Sequence, residues 1–436
     1  MKKTRVKSQN KGKINRRVTK KGGGLSEKIK NLAKNLTTKI KNLTTLEKDR
    51  YQLMDTMYRT FKSEIKIETL IEFIKKWRGD RYVNKHVNFK YIREYVQTNG
   101  WTPLTLACRY GSLDIVKVLV EGKGADVNYQ NLFLDTPLMV SCNYKRKDIV
   151  DYLFIKGADV NKVNNKYIYK LYIYKDKSAP GKTALMYACE QKKLGHLTDQ
   201  KVVEEVDKLN LDIVTVLIDN SADVNAKDYY GIKLNGTALT IALSNEKINT
   251  SVVYYLLNIQ NIDVNINSYV YGTPIMQACT KQNLDIVNAL LKKPNIDLNL
   301  QDDQKKTALM YACENKNLDI VNALLEERNI DLNLQDTLKR TALMHACENK
   351  NLDIVNALLK KPNIDLNLQD NQNKTAIMHA CEKQNLNIVN ALLKNPNIDL
   401  NLQDNDEKSF YNYIEIFLPN LYNELHLPTN MQNVTL

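Results

Sequence analysis

The sequence lacks several features that would place it in common functional classes. Its 436 residues contain no run of roughly 18 or more apolar residues, so no helix is predicted to cross a membrane. The first residues lack the apolar stretch of a secretory signal, so we expect an intracellular protein, in the cytoplasm or nucleus. No Cys-x-x-Cys pair occurs among the seven cysteines, and a zinc site, which needs clustered ligands, is therefore not indicated.

The excess positive charge is confined to one end of the chain. The net charge is +14, and residues 1–50, with 17 Lys and Arg against three Asp and Glu, account for all of it. The remaining residues are balanced, so the body of the protein has no basic field that would attract nucleic acid. Five basic residues within 13–21 resemble a nuclear-import or RNA-binding patch, but a solvated tail is the simpler interpretation.

One segment recurs along the chain, in its best copies at an interval of 34 residues. It reads TALMYACENKNLDIVNALL from Thr307 and returns with few changes at Thr341 and Thr375. Further copies begin at Thr102, Thr136, Thr183, Thr237 and Thr273, and a degraded copy begins at Ser409. Such a period is typical of a repeat protein, in which each unit buries its apolar side against its neighbours.

Each copy predicts two helices and an extended loop. After Thr307, whose hydroxyl can cap a helix, small and apolar residues recur at helical spacing as far as Cys313. The polar residues 314–317 predict a turn, and the apolar positions of 318–325 predict a second helix. The stretch NIDLNLQD from Asn329 alternates apolar and polar residues, which predicts a short extended segment leading into a turn.

This pattern resembles the ankyrin repeat family. The helix start of that family appears as TPL at 102–104 and 136–138, its exit motif as GADVN at 124–128 and 157–161, and its outer helix as IVNALL at 320–325. The resemblance implies an all-α solenoid, elongated and gently curved, of helix–turn–helix units with short β-hairpin loops and a helical N-terminal region. Repeat-rich chains of this composition are similar to the large ankyrin families of DNA viruses that infect protists, which implies a viral protein acting on host proteins.

The resemblance and the composition together predict four regions. They are a basic disordered tail at 1–24, a helical region and cap at 25–98, a repeat array at 99–404 and a C-terminal cap at 405–436. The array holds about eight repeats, with starts near 100, 134, 181, 235, 271, 305, 339 and 373. The late copies lack the family's glycine in the turn between the helices, as at Lys316, so their loops are expected to differ in detail.

The cysteines and two of the histidines occupy repeat positions. Each cysteine lies six residues after its opening threonine, which predicts a small buried side chain in the first helix and argues against a disulfide or a metal site. His345 and His379 lie four residues after their threonines, where neighbouring copies have Tyr311 and Gln277. A slot that accepts such varied residues favours a packing or surface role, and no metal or cofactor is predicted.

Two insertions interrupt the period. The first, at 164–182, places four tyrosines among lysines. A hairpin that binds a protein partner, a contact for single-stranded nucleic acid and a loop without a role are all compatible with it. The second, at 194–209, predicts an added helical turn of structural role, with Val202, Val203 and Val206 facing inward.

The predicted function is protein–protein recognition, with no catalytic residues and no cofactor. Apparent active-site constellations are repeat positions seen several times, whereas catalysis needs a unique site. The resemblance implies that loop tips and the exposed side of the first helices form a concave wall that contacts the partner. The candidate partner-binding residues are Tyr167, Tyr169, Tyr172, Tyr174, Asp303, Gln304, Lys306, Glu314, Asn315, Thr337, Leu338, Arg340, Glu348, Asn349, Gln372, Lys374, Glu382 and Lys383. We expect a monomer that binds one or more proteins.

Two alternatives from other classes stay open. In the first, the chain is a nucleic-acid-associated or nuclear factor in which residues 1–50 bind phosphates and the array recruits proteins. Binding that weakens steeply with salt and is lost with that tail would support it. In the second, the chain is a ubiquitin-ligase substrate adaptor, as similar viral ankyrin proteins are. The residues after Ser409 are too few for the F-box domain that this role requires.

Overall fold

A computed structural model of the chain describes residues 52–53, 56–57, 59–61, 66–76, 101–131, 133–164, 181–190, 200–230, 233–245 and 249–425. The chain divides into two compact units, Met1–Pro137 and Leu138–Leu436. The basic tail and the four tyrosines of the first insertion lie outside the described residues, so the roles given to them stay predictions.

Three helices of the first unit have both ends within the described residues. They are α1 (Ile67–Lys76), α2 (Pro103–Tyr110) and α3 (Leu113–Lys117), and the last continues as a π-helical turn at Val118–Gly122. Helix α1 buries Leu70 and Ile74 and packs against the π-helical turn. The ammonium of Lys123 also donates to the carbonyl of Lys75 at 3.2 Å. An N-terminal helix therefore contacts the first repeat, while the capping role of the whole region 25–98 stays a prediction.

The remaining helices come in pairs, one pair for each copy of the repeat. They are α4 (Pro137–Asn143), α5 (Lys147–Ile155), α6 (Ala184–Cys189), α7 (Gln200–Asp219), α8 (Ala238–Ser244), α9 (Thr250–Leu257), α10 (Pro274–Thr280), α11 (Leu284–Leu291), α12 (Ala308–Glu314), α13 (Leu318–Leu325), α14 (Ala342–Glu348), α15 (Leu352–Leu359), α16 (Ala376–Glu382), α17 (Leu386–Leu393), α18 (Phe410–Phe417) and α19 (Pro419–Leu425). From α8 onward each first helix packs on the first helices of the neighbouring layers, and from α9 to α17 each second helix packs on the neighbouring second helices.

Regular strands are scarce in this stack. Strands β1 (Asp228–Tyr230) and β2 (Lys233–Gly236) pair antiparallel and are the one sheet within the described ranges. In the later copies the loop is a tight turn, closed for example by a 3.1 Å hydrogen bond from the Asp302 N–H to the Lys306 carbonyl. The helical layers and their short loops confirm the predicted all-α repeat fold.

The opening threonine of each copy starts the first helix. Thr307 is extended (φ −96°, ψ 168°), and its Oγ1 accepts from the N–H of Met310 at 3.3 Å. In return, Met310 Sδ lies 3.4 Å from the Thr307 N–H and accepts from it, which closes a reciprocal cap. The second helix is capped by Asn317, whose Oδ1 accepts from the backbone of Ile320 at 3.1 Å.

The turn between the two helices keeps its left-handed backbone conformation in the late copies, although glycine is replaced there. Gly111 of the first copy has φ 82°, and the equivalent residues Lys316, Lys350 and Gln384 have φ 59°, 59° and 55°. A side chain in this left-handed region costs about 1–2 kcal/mol, which the packing of the two flanking helices offsets. The late copies therefore keep the family's turn geometry without glycine.

The core lies between successive layers. Cys313, Ile320, Val321 and Leu324 are fully buried, and equivalent residues are buried in the neighbouring copies. Burial of each large aliphatic side chain stabilises the fold by about 1.5–3 kcal/mol. All seven cysteines are buried free thiols, as predicted. Burial raises the pKa of Cys189 to about 12, so this thiol stays protonated and unreactive near neutral pH.

Polar side chains of the NIDLNLQD stretch link each layer to the next. Asn299 Nδ2 donates to the Asn329 carbonyl at 2.8 Å, and its Oδ1 accepts from the Asp331 N–H at 2.8 Å. Gln301 Nε2 donates to the Gln335 carbonyl at 2.9 Å. Because the same bonds recur one period later, each Asn and Gln satisfies the backbone of its neighbour. Because each of these side chains is needed by the backbone of the next layer, the stretch hardly varies between the late copies.

The described part of the second insertion, residues 200–209, is helical and continuous with the helix that follows it. Residues 200–219 form the single helix α7, so the insertion lengthens the second helix of its copy at the N-terminal end. Val206 is half-buried. The burial of Val202 and Val203 lies outside the described residues, and their inward orientation stays a prediction.

Candidate partner-binding surface

The tips of three successive loops form a continuous row of exposed residues, which we call the tip row: 303–304, 337–338 and 371–372. Each tip is bonded to the next through the backbone. The N–H of Thr337 donates to the Gln304 carbonyl at 2.9 Å, and the N–H of Asn371 donates to the Leu338 carbonyl at 2.9 Å. The backbone spacing is thus constant while the side chains differ, and the 43% exposed Leu338 is the apolar member.

An aspartate shapes each of these loops; Asp302 is half-buried, and Asp336 and Asp370 are buried. Asp336 Oδ1 accepts from the N–H groups of Leu338 and Arg340 at 2.8 and 2.9 Å, and Asp370 does the same one layer on. Burial alone would raise the pKa of Asp336, but the hydrogen bond from the Arg340 backbone and the Arg340 guanidinium outweigh burial and lower this pKa. The carboxylate therefore stays ionised and holds the loop turn closed.

The residue four positions after the threonine connects the loop to the preceding layer. In His345, Nε2 lies 3.1 Å from Asp336 Oδ2 and Nδ1 lies 3.2 Å from Glu314 Oε1. His379 repeats this with Asp370 at 2.9 Å and Glu348 at 3.4 Å. Both rings are buried, so each histidine is an internal link between layers.

Tyrosine takes the place of histidine in other copies. The Tyr311 hydroxyl donates to Asp302 at 2.5 Å, and the Tyr413 hydroxyl donates to Asp404 at 2.7 Å. In these late copies the position therefore accepts fewer kinds of residue than its variation suggests, because each aromatic residue bonds a loop aspartate nine positions earlier.

Six of the candidate residues pair with one another inside single layers. Lys306 contacts Glu314 at 2.7 Å, Arg340 contacts Glu348 at 3.2 Å, and Lys374 contacts Glu382. We call these three ion pairs, together with the linked histidines and loop aspartates, the charged ladder. Its basic and acidic members are half-buried, so a partner would meet paired charges at this surface. Their role in binding stays a prediction.

The other candidates divide by exposure. Asp303, Gln304, Thr337, Leu338, Gln372 and Lys383 are exposed. Asn315 and Asn349 are half-buried, and their side-chain amides donate to the carbonyls of Tyr311 and His345, both at 3.0 Å. Tyr167, Tyr169, Tyr172 and Tyr174 lie outside the described residues. The structure thus places the late-copy candidates along one stretch of successive loops and first helices.

The copy that begins at Thr273 differs from those that follow and was not singled out by the sequence reasoning. A cavity of about 690 Å³ opens between its loop and the next layer, lined among others by Tyr271, Gln277, Lys281 and Tyr311. The sequence does show how this copy differs from the next one. Its residues Ser268, Gly272, Gln277 and Thr280 stand where the next copy has Asp302, Lys306, Tyr311 and Glu314.

Two further properties bear on function. Within the described ranges, no group of three or more His, Cys, Asp and Glu side chains is placed to hold a metal ion. None of the helices in that part of the chain combines the length and the apolar character that a bilayer crossing requires.

Comparison with protein families gives matches to the model described as ankyrin repeats (3 copies). The matched stretches overlap along the array and cover more than half of the chain; they are 81–164, 135–228, 203–302, 249–336 and 309–404.

Curated proteins with similar sequences include two spider toxins and one bacterial protein. Alpha-latrocrustotoxin-Lt1a of Latrodectus tredecimguttatus is 45% identical over 65 residues, and alpha-latroinsectotoxin-Lt1a of the same spider is 38% identical over 65 residues. These stretches are 15% of this chain and only 5% of either toxin. A putative ankyrin repeat protein of Rickettsia felis is 25% identical over 190 residues, which are 38% of this chain and 80% of that protein.

Proposed function

This chain belongs to the ankyrin-repeat family, and on that premise we propose that it is a non-catalytic scaffold for protein–protein interaction. Ankyrin repeats generally mediate such interactions, and stacked repeats present extended binding surfaces. The proposed contact surface is the tip row together with the polar side of the first helices, where the late-copy candidates lie. The identity of the partner is not part of the proposal.

The observation that carries this proposal is the backbone bonding between successive tips. The bonds from Thr337 to Gln304 and from Asn371 to Leu338 hold exposed side chains at the spacing of the repeat. A surface that is already ordered loses little conformational entropy when a partner binds. Side chains that vary on a constant backbone suit the recognition of one particular protein.

The charged ladder behind the tips supports the same function. Its ion pairs are half-buried and satisfied within the chain, so the surface offers fixed positive and negative groups beside each other. Complementary charges on a partner would set its register and reject partners of the wrong pattern. The array therefore contributes specificity through the order of its loops.

A capture experiment tests the proposal. The full chain is purified with bound proteins from its native cells, as wild type and as the triple variant Thr337→Ala, Leu338→Ser, Gln372→Ala, and recovered proteins are quantified by mass spectrometry. We expect at least one protein to be recovered about tenfold less with the variant, because interface energy concentrates in a few exposed anchors.

The matched control alters three exposed residues of the second helices, Asn322→Ala, Asp353→Ala and Asn390→Ala. Both variants should unfold at the wild-type temperature, since all six side chains are exposed. Equal recovery of every protein with the tip variant and the control would contradict the proposed surface.

Finer statements about location and origin are proposals as well. We propose an intracellular protein of viral origin that acts on host proteins; the viral origin rests on the resemblance in composition alone, and the relatives named above are bacterial and arachnid. The nucleic-acid-associated alternative is supported by the charge of residues 1–50. Salt-dependent binding to an oligonucleotide that needs those residues would favour it. The ubiquitin-ligase adaptor ranks last.

A further inference from the structure

The cavity in the layer that begins at Thr273 exists because two side chains of the charged ladder are replaced there. Lys306 and Glu314 bridge this position in the next layer, but the equivalent residues are Gly272 and Thr280. Gly272 has φ 66°, and a Cβ on it would lie 2.8 Å from Met276 Sδ. Thr280 turns back on its own helix and donates to the Met276 carbonyl at 2.9 Å. Gly272 and Thr280 therefore form no ion pair over this helix, and a cavity lies where Lys306 and Glu314 make contact in the next layer.

Gln277 lines the cavity and has an unsatisfied carboxamide. Its side chain is only 6% exposed, and among the described residues neither Nε2 nor Oε1 has a hydrogen-bond partner. The residues in the same slot of the later layers all bond a loop aspartate. Here the loop has Ser268, whose Oγ instead donates to the Gly272 carbonyl at 3.3 Å and accepts from the Tyr271 N–H at 3.0 Å. A buried polar group left in this way costs free energy, which a ligand could recover.

The loop beside the cavity has three large, partly exposed apolar or aromatic residues at its tip. Tyr269, Val270 and Tyr271 are 44%, 58% and 38% exposed and also line the cavity. Tyrosines at such an edge are frequent anchors of protein interfaces. The loop tip can pack against an apolar side chain of a ligand, and the Gln277 carboxamide can form hydrogen bonds with the same ligand.

The chemistry of the walls favours a polypeptide over a nucleic acid. A carboxamide places a donor beside an acceptor and pairs with another amide through two antiparallel hydrogen bonds. A nucleobase edge could do the same, but Asp302 and Asp303 line the cavity and would repel phosphates. Lys281, which donates to the Asn245 carbonyl at 3.2 Å, is a cation in the same wall, but the two carboxylates outnumber it. The acidic edge instead attracts Lys or Arg of a peptide.

From these observations we infer that the layer at Thr273 contains a binding pocket for an extended segment of a partner polypeptide. An Asn or Gln side chain or a peptide group of that segment pairs with Gln277. A neighbouring basic residue approaches Asp303, and an apolar residue packs on Tyr269 and Tyr271. The inference rests on the proposed protein-binding function and assigns the pocket one class of ligand.

A peptide selection tests the pocket directly. The full chain is immobilised and used to select from a phage-displayed library of random dodecapeptides, and the best peptide is synthesised with a fluorescent label. We expect selected sequences to combine Asn or Gln with a nearby Lys or Arg. The Kd from fluorescence anisotropy should rise at least about tenfold with Gln277→Met, which keeps the length of the side chain but removes both hydrogen bonds.

Thermal unfolding separates a ligand-binding glutamine from a structural one. Because the amide of Gln277 has no partner within the described residues, Gln277→Met should unfold at the wild-type temperature or above it. Unfolding at a clearly lower temperature would mean that this side chain supports the fold, and would overturn the inference even if peptide binding were lost.

A matched control lies on a second helix, outside the proposed contact surface: the exposed Asn322→Ala should leave the peptide's Kd within twofold of wild type. Leu338→Ser, in the tip row, tests whether the peptide binds there instead. If Leu338→Ser abolishes peptide binding and Gln277→Met does not, the pocket inference fails while the proposed function stands. The inference also fails if no peptide distinguishes wild type from Gln277→Met, or if a labelled twelve-residue oligodeoxyadenylate binds through Gln277 and the peptides do not. Failure of the proposed function itself would be seen in the capture experiment, which leaves Gln277 unchanged.

Discussion

The layer that begins at Thr273 and the three layers after it share their helices but not their polar surface. The second helix reads LDIVNALL at 284–291, 318–325 and 352–359, and its fully buried positions are equivalent in these three copies. Where the later layers place aspartate, a basic residue, an aromatic side chain and glutamate, the layer at Thr273 has Ser268, Gly272, Gln277 and Thr280. One set forms the charged ladder and the other leaves a cavity.

This difference shows which interactions carry the fold. A buried aliphatic side chain contributes about 1.5–3 kcal/mol, whereas a surface ion pair contributes at most about 1 kcal/mol, and the half-buried pairs of the ladder also carry a desolvation cost. The ladder can therefore be absent from one layer while the layers still stack. Loops and polar positions are free to differ in ways that set what each layer binds.

The largest expected effect comes from truncating the shared core. Leu290→Ala and Leu358→Ala each remove a fully buried side chain, one from each kind of layer, and each should cost about 2–5 kcal/mol of unfolding free energy. Urea unfolding followed by far-ultraviolet circular dichroism measures this cost. The exposed Asn288→Ala on the same helix is the neutral control. A cost at Leu290 well below that range would show that the layers do not share one core.

A smaller difference in unfolding free energy should distinguish the loop of a ladder layer from the loop of the layer at Thr273. Asp336→Ala leaves two loop N–H groups and His345 without their shared acceptor, so we expect a loss of about 1–3 kcal/mol. Ser268→Ala removes a single acceptor of the Tyr271 N–H and should cost about 1 kcal/mol or less. The two unfolding free energies are compared with that of Thr337→Ala, an exposed tip control. Equal losses for the two loop variants would refute the distinction between them.

The smallest effect is a dependence on pH in the ladder layer of His345. Burial lowers the pKa of His345, and Arg340 lowers it further, against the opposing effect of Glu314. The unfolded chain therefore takes up this proton at a higher pH than the folded chain. Stability should be constant above the ordinary histidine pKa of about 6.5 and should fall as the pH drops below it. Because the pKa values of Asp336 and Asp370 are also lowered, a second loss should follow as these carboxylates protonate below about pH 4.

Urea unfolding between pH 7.5 and pH 5 measures the first of these losses. His345→Gln places in the ladder the residue that the layer at Thr273 already has, and it should flatten the decline that begins near pH 6.5. An unchanged decline in this variant would rule out His345 as its source.

Much of the fold followed from local patterns. Thr307 and its equivalents begin the first helices, the polar stretch at 314–317 turns the chain, and the cysteines are buried, all as their spacing predicted. The ladder could not be read in the same way. The partners of His345 lie nine residues away in its own loop and 31 residues away in the preceding layer, at Asp336 and Glu314. Only the stacking of one layer on another brings such positions together.

The repeat position of His345 shows most clearly what the sequence alone could not reveal. Its variation among His, Tyr and Gln indicated tolerance, yet from Tyr311 onward each aromatic residue occurs with a loop aspartate, while Gln277 occurs with Ser268. This covarying pair, nine residues apart, was visible in the late copies. Its meaning required the distances between the side chains.

The sequence by itself determined the repeating unit, its two helices and the apolar face that each unit must cover, because these depend on short-range periodicity and on the cost of exposing apolar side chains to water. The tertiary structure alone decided which polar groups find partners across the layers and which, like Gln277, find none among the described residues. Hydrogen bonds and ion pairs require atoms to lie within a few ångströms of one another, and that proximity arises only when the layers stack.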